Sequence, residues 1–279
     1  PPGGGARTGG RGLMGENELR GGIGLRLLAA LVGAVLVAPT LVVIPLSFTG
    51  RASFAFPPES WSLRWYENFF TDPGWRDALL TSLRIALLVA VVASALGTCA
   101  ALALNNSGRF RGKGLVNGLL MAPMIVPQIV AAIGVYAVFL VWGLTGTTAG
   151  FVLAHTALAI PFVIVAVSAV LRGYDRRLEQ AAASLGARPF TTFTRVTLPL
   201  ILPGVLSGAV FAFVTSLDEV VVALYLQSPE LHTLPVKMFS SVTVETDPTI
   251  AAASTLVLVV TTALILLPQL VRRSSKEAR

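Results

Sequence analysis

The sequence predicts an all-α integral membrane protein with six transmembrane helices, and three observations predict it. Hydrophobic residues make up 54% of the 279-residue chain and charged residues 13%, with a mean hydropathy of +0.76. Soluble domains carry about a quarter of their residues as charges. Six apolar stretches, at about 25–48, 79–104, 115–141, 147–171, 198–226 and 250–271, each reach the roughly 20 residues a helix needs to cross a bilayer. Lys and Arg are sorted by side. All but five of the 21 cations fall in the N-terminal segment (Arg7, Arg11, Arg20, Arg26), the 105–114 loop, the 172–197 loop and the C-terminus. The other five are Arg51, Arg64, Arg76, Arg84 and Lys237. The positive-inside rule puts the Arg-rich side in the cytoplasm. Both termini are then cytoplasmic, which needs an even number of spans. The net charge of +7 is accounted for by this topology, so no nucleic-acid partner is expected.

Along the chain, residues 1–24 are rich in Gly and Arg without periodicity and read as a disordered cytoplasmic tail. The apolar run behind them is too long for a signal peptide and shows no small-residue cleavage site. Residues 25–271 form one membrane domain and 272–279 a cytoplasmic C-terminal tail. The outer loop 49–78 is aromatic, and Trp61, Trp65, Tyr66, Phe69, Phe70 and Trp75 suit a segment lying along the outer surface. The third stretch is broken by Pro123 and Pro127 and carries Gln128. Carbonyls freed by the prolines could line a path, or Gln128 could bridge helices at a simple kink. Trp142 suits an interface anchor and His155 a packing residue. The pairs Gly146/Gly150 and Gly204/Gly208 suit close helix contacts.

The fifth stretch carries Asp218 and Glu219. A charge at depth is costly and faces a bundle interior or a watery path. Neighbours on a helix point about 100° apart, so one of the two is expected to face such a path. The other reading is a structural pair, with a carboxylate satisfied by Lys237 or an outer arginine. The residues leave both open.

Several chemical patterns fail. "GRFRGKG" (108–114) is one residue short of a phosphate loop, and Gly114 stands where a magnesium-binding hydroxyl belongs. There is no G-x-S-x-G elbow and no H-E-x-x-H. Cys99 is the one cysteine, and no Cys/His cluster exists for a metal. No catalytic residue, cofactor or metal is expected, so any energy for work comes from a partner.

One segment is polar amid the apolar spans: "LEQAAASLGARPFTTFTRVTLPLILPG", 178–204. Asp175 can cap a helix start. Leu178, Ala181, Ala182 and Leu185 make a narrow apolar face, Gly186 ends the helix, and Pro189 opens a second short one that carries Phe190 and Phe193. Pro199 is expected to open the fifth span. The pattern Gln180-Ala181-Ala182-x3-Gly186-x9-Val196-x-Leu198-Pro199 resembles the EAA loop of permease subunits of binding-protein-dependent ABC importers. Gln180 stands where that family has Glu, with Glu179 just before it, and Val196 stands where it has Ile. "VIPLSFT" (43–49), "SLRWYENFF", "APMIVPQIV" and "SLDEVVVALYLQSPELHTLPVKMFS" are similar to the spermidine/putrescine branch.

The resemblance implies the six-span type I importer fold with a cytoplasmic coupling helix. Glu179, Gln180, Ala181, Ala182, Gly186 and Pro199 would couple it to a separate ATPase. It further implies a second permease subunit, giving a heterodimer in the bilayer, and an extracytoplasmic binding protein. Asp218, Glu219 and Gln128 would line the substrate pathway, and acidic residues there suit a polyamine. An organophosphonate, thiamine or iron complex carried by the same class of importer stays open, as does an ion-driven secondary transporter.

Overall fold

The computed structural model describes residues 17–52, 55–106, 111–245 and 247–277. Residues 1–16, most of the stretch read as a tail, lie outside the described residues, as do 107–110 within the loop that resembles a phosphate loop and 278–279 at the C-terminus. The elements are α1 (Asn17–Ser47), α2 (Arg64–Thr71), α3 (Pro73–Asn106), α4 (Lys113–Ile125), α5 (Gln128–Val141), α6 (Thr148–Leu171), α7 (Arg177–Ser184), α8 (Pro189–Thr192), a π-helical turn (Phe193–Thr197), α9 (Leu198–Leu217), α10 (Val221–Leu226), α11 (Leu234–Ser240), a second π turn (Ser241–Glu245) and α12 (Thr249–Glu277). Four of these helical runs are long and apolar enough to cross a membrane, and six do so when each of two bent pairs counts as one span. The first helix therefore begins at Asn17, inside the stretch read as tail.

Both bends follow prolines. Gly24–Ala38 and Thr40–Ser47 are inclined by 42° across Pro39, and α4 and α5 by 105° across Val126 and Pro127. Proline lacks the N–H for the i−4 bond and its ring crowds that carbonyl. The third apolar stretch is thus two helices set nearly at right angles.

The core is the packing of α3, α6 and α9, filled by Val89, Ala93, Val163, Val167, Ile201 and Ala212. Small residues set its spacing. A Cβ on Gly97 of α3 would lie 2.7 Å from Val163 Cβ, and one on Gly208 of α9 would lie 3.1 Å from Val163 Cα. Gly204 presses on Ala166–Val170 of the same helix α6. The Gly204/Gly208 pair is therefore a close helix contact, as its spacing predicts. Gly146 and Gly150 are not such a pair. Gly146 lies in the turn before α6, where its N–H reaches the Leu226 carbonyl at 2.8 Å, and Gly150 lies over the Leu144 carbonyl. Thr147 caps α6 by accepting from Gly150 N–H at 3.0 Å.

The aromatic outer loop divides. Trp61 and Phe70 are exposed, but Trp65, Phe69 and Trp75 are buried. Phe69 and Trp75 pack with Leu234 and Ala253 in a second apolar cluster under α11 and α12. Trp75 Nε1–H donates to Asp247 at 3.0 Å, and Asn68 donates to Thr249 Oγ1 at 2.8 Å. These bonds tie α2 and α3 to the start of α12. Asp72 both ends α2 and caps α3, where its Oδ1 accepts from Trp75 N–H at 3.0 Å.

Candidate functional site

Two polar sites lie at opposite ends of one helix. The first is the turn on the Arg-rich side. Asp175 Oδ1 accepts from Arg177 N–H at 2.9 Å and starts α7. The helix closes in a Schellman arrangement: Ala187 N–H bonds the Ala182 carbonyl at 3.1 Å and Gly186 N–H the Ala183 carbonyl at 2.9 Å. Gly186 has φ +80°, a left-handed conformation that glycine adopts without steric cost. No residue of α7 is buried. Leu178 (46%), Leu185 (89%) and Phe190 (76%) stand in the open with Ala181, while Ala182 is half-buried.

Pro189 occupies the first turn of α8 as expected, but Pro199 does not open the span. A continuous helix runs from Pro189 to Leu217, with Pro199 inside it. Pro199 cannot donate to the Arg195 carbonyl and its ring would crowd it. The preceding turn widens instead to a π turn, in which Leu198 N–H reaches back to the Phe193 carbonyl.

Gln180, at the motif's acidic position, is exposed. Glu179 turns inward. Its Oε1 accepts from Thr197 Oγ1 at 2.8 Å and from Tyr174 Oη at 3.0 Å, and the two hydroxyls are 3.2 Å apart. Burial pushes the Tyr174 hydroxyl above its ordinary range, so it keeps its proton and can donate. Arg176 donates to the Asn105 carbonyl at the end of α3. Tyr174 and Thr197 carry no sequence signal, because 23 residues separate them and only folding joins them.

The second site is a break in the fifth apolar stretch, which the sequence reading took as one run. α9 stops at Leu217 and α10 begins at Val221. Glu219 lies in the break at 3% exposure. Its Oε1 accepts from Val222 N–H at 2.8 Å, capping α10, and its other oxygen accepts from Gln128 Nε2. Gln128 is the first residue of α5. The breaks of the third and fifth stretches therefore meet, and the positive end of α5 faces a carboxylate. Lys237 sits 5.7 Å over the Trp75 ring, so Glu219 draws its bonds from Gln128 and the backbone instead. Asp218 is exposed. Further out along α5 and α10, the Tyr136 and Tyr225 rings meet at 6.0 Å. His155 is buried with Nδ1 2.9 Å from Ser216 Oγ, while its Nε2 has no hydrogen-bond partner among the described residues. Trp142 ends α5, exposed and stacked on Phe139.

The family described as "Binding-protein-dependent transport system inner membrane component" matches residues 93–276. The spermidine/putrescine transport system permease protein PotC of Haemophilus influenzae is 35% identical over 245 residues, covering 88% of this chain and 94% of its own. The molybdenum transport system permease protein ModB of Mycobacterium bovis is 35% identical over 255 residues, covering 86% and 90%. Among solved structures, a bacterial alginate ABC transporter in complex with an alginate-pentasaccharide-bound periplasmic protein superposes with a TM-score of 0.68. It is 14% identical and covers 91% of this chain and 95% of its own. That likeness concerns the fold.

Proposed function

The chain belongs to the family of binding-protein-dependent transport system inner membrane components, and we propose that it forms half of the translocation pathway of an ATP-driven importer for polyamines. It carries no catalytic chemistry of its own. An ATPase docks on α7, a second and related permease subunit completes the pathway as a heterodimer, and a substrate-loaded binding protein delivers from the opposite side. The Arg-rich side and both termini face the cytoplasm.

One observation carries this reading. The exposed apolar surface of α7 leads through Gly186 into an unbroken helix of 29 residues, Pro189–Leu217, which ends at the Asp218 break. At 1.5 Å per residue that helix is about 43 Å long, enough to cross the bilayer. A force applied at α7 therefore reaches the break along one helical path, by way of the Gly186 turn and the π turn at Phe193–Thr197. Leu178, Ala181 and Leu185 supply the apolar contact and Gln180 a hydrogen-bonding group beside it. Gly186 fixes the exit angle and Pro199 the π turn below.

ATP binding would move α7 and swing the long helix. Such rigid elements rocking on bistable interfaces are an ordinary switching device. Asp218 is the pathway residue, and Glu219 with Gln128 holds the two helix breaks in register behind it. Relatives of equal identity are named for spermidine/putrescine and for molybdenum transport; an exposed carboxylate at a helix break suits the cationic polyamine.

Purification from native membranes in mild detergent, followed by mass spectrometry, tests the assembly. An ATPase, a second permease and a binding protein are expected to accompany the chain. A stable homo-oligomer alone would favour an ion-driven transporter and overturn the reading. Uptake of labelled spermidine, challenged with molybdate, an organophosphonate, thiamine and an iron complex, tests the substrate. Competition by any of the four and not by putrescine would reassign it.

A further inference from the structure

The position at which the family motif carries its acid is exposed here as Gln180, while the acid one residue earlier faces the bundle. We propose that Glu179 is the positioning residue that transmits movement of α7 into the long helix, through a clasp made with Tyr174 and Thr197. The proposal rests on the reading that α7 is the docking element for the ATPase.

The clasp joins three pieces of chain. Glu179 belongs to α7, Tyr174 to the turn that follows α6, and Thr197 to the π turn that runs into α9. All three hydroxyl–carboxylate and hydroxyl–hydroxyl separations lie between 2.8 and 3.2 Å. A carboxylate accepting two O–H donors makes stronger bonds than a neutral acceptor does. Thr197 is buried, so its end of the clasp is fixed in the helix packing.

Besides the clasp, α7 is tied to the bundle at its start, where Arg176 donates to the Asn105 carbonyl. The helix has no buried residue, and a cleft of about 310 Å³ beside Glu179 separates it from the bundle, lined by Leu102, Ala183, Pro189 and Phe193. Apolar packing therefore cannot carry a displacement of α7 across that gap. Covalent continuity through Gly186 carries it only by way of a left-handed turn. The clasp spans the gap directly and pulls on the π turn, where Leu198 N–H is bonded to the Phe193 carbonyl five residues back. Single π turns inside helices occur frequently at functional sites. A lateral pull on Thr197 acts there.

The test uses the transporter purified with its partner subunits and reconstituted in liposomes, with spermidine as the probe. ATP hydrolysed per spermidine moved is measured, together with the amount of ATPase that co-purifies. Glu179→Leu removes the acceptor. It should raise the ATP cost per spermidine at least fivefold while the ATPase co-purifies at the wild-type ratio. Glu179→Gln keeps a side-chain oxygen for both hydroxyls and should return the ratio to within twofold. Thr197→Val should raise the ratio on its own and add nothing in the Glu179→Leu background. A ratio within twofold of wild type in Thr197→Val, or effects of the two changes that multiply, would overturn the clasp. This holds even if Glu179→Leu fails to accumulate. The docking reading fails separately: Leu185→Asp should strip the ATPase from the complex, and retention at the wild-type ratio would remove α7 as the dock whatever Glu179 does.

Discussion

Two carboxylates, Glu179 and Glu219, bracket the long helix, and each has a polar neighbour that points the other way. Glu179 faces the bundle and Gln180 the open; Glu219 is buried and Asp218 exposed. On α7 the roughly 100° step of the helix separates the two side chains, and at the break the non-helical backbone of Asp218 and Glu219 does so; each pair divides into one member that holds the fold and one that meets something else. The two holders differ in their donors. Glu179 takes hydroxyls from two separate elements at the edge of the molecule. Glu219, itself buried, takes the buried Val222 N–H and the amide of the exposed Gln128. The first arrangement can be released at small cost, because the half-buried Tyr174 can turn to water and the Thr197 hydroxyl to Tyr174 Oη. The second cannot, because the Val222 N–H would be left without an acceptor. The turn at α7 is accordingly built to move and the break at Asp218 to stay.

The sharpest way to break that comparison is to remove both holders. Glu219→Leu leaves the Val222 N–H buried without an acceptor, at about 1–3 kcal/mol, whereas the exposed Gln128 amide can turn away. The chain is expected to lose about 1–3 kcal/mol and to accumulate less well in the membrane. Glu179→Leu should cost about 1 kcal/mol or less, because the half-buried Tyr174 hydroxyl can turn to water and the buried Thr197 hydroxyl to Tyr174 Oη, 3.2 Å away. Thermal unfolding in detergent, followed by tryptophan fluorescence, compares them. Equal melting temperatures would mean that the two carboxylates are held alike.

Next in size is Gly186→Val. A side chain in the left-handed region costs roughly 1–2 kcal/mol, and the strain falls on the turn alone because no atom lies near a Cβ there. The spans should stay folded, while ATPase co-purification and spermidine uptake fall several-fold. Normal uptake by this variant would mean that the exit angle of α7 does not matter.

Asp218→Asn probes the outward member of the other pair. An exposed side chain contributes little to stability, so the melting temperature should not move. Uptake of labelled spermidine should fall about tenfold, or about 1.4 kcal/mol in the barrier. Uptake unchanged at equal protein level would take Asp218 out of the path and leave the break with a structural role only.

Much of this was legible beforehand. Six apolar runs, the Asp175 cap, the glycine end at Gly186 and the Pro189 start depend on local rules, and local rules can be read from the chain. The breaks were half legible. Pro123 and Pro127 announced an interruption but not a 105° turn, which depends on what α5 packs against. Asp218 and Glu219 gave no sign that α9 ends there, since a polar pair followed by "VVALYL" also fits an unbroken helix. Pro199 misled because proline usually starts helices, whereas here a π turn absorbs it. Trp75 and Phe69 look interfacial by type, and only the position of α11 and α12 buries them. The bond between Gln128 and Glu219 spans 91 residues. Each residue was picked out alone, but no spacing rule brings them together.

The smallest expected effect belongs to the remaining exposed member, Gln180. Gln180→Glu restores the charge that the family motif has at this place. The side chain is exposed, and within the same helix Ser184 Oγ donates to the Gln180 backbone carbonyl at 3.0 Å. An acid in the first half of α7 gains slightly from the helix dipole, by about 0.3–1 kcal/mol at most. A pair with a cation on the ATPase would be partly exposed and add about 0.2–1 kcal/mol. Uptake should therefore change by less than about fivefold, in either direction, and ATPase retention should weaken faster with added salt than in the wild type. A salt dependence identical to wild type would place Gln180 outside the docking contact. A loss as large as that of Glu179→Leu would mean that the exposed and the inward positions of this pair share one task, and the division seen at both ends of the long helix would not hold at this one.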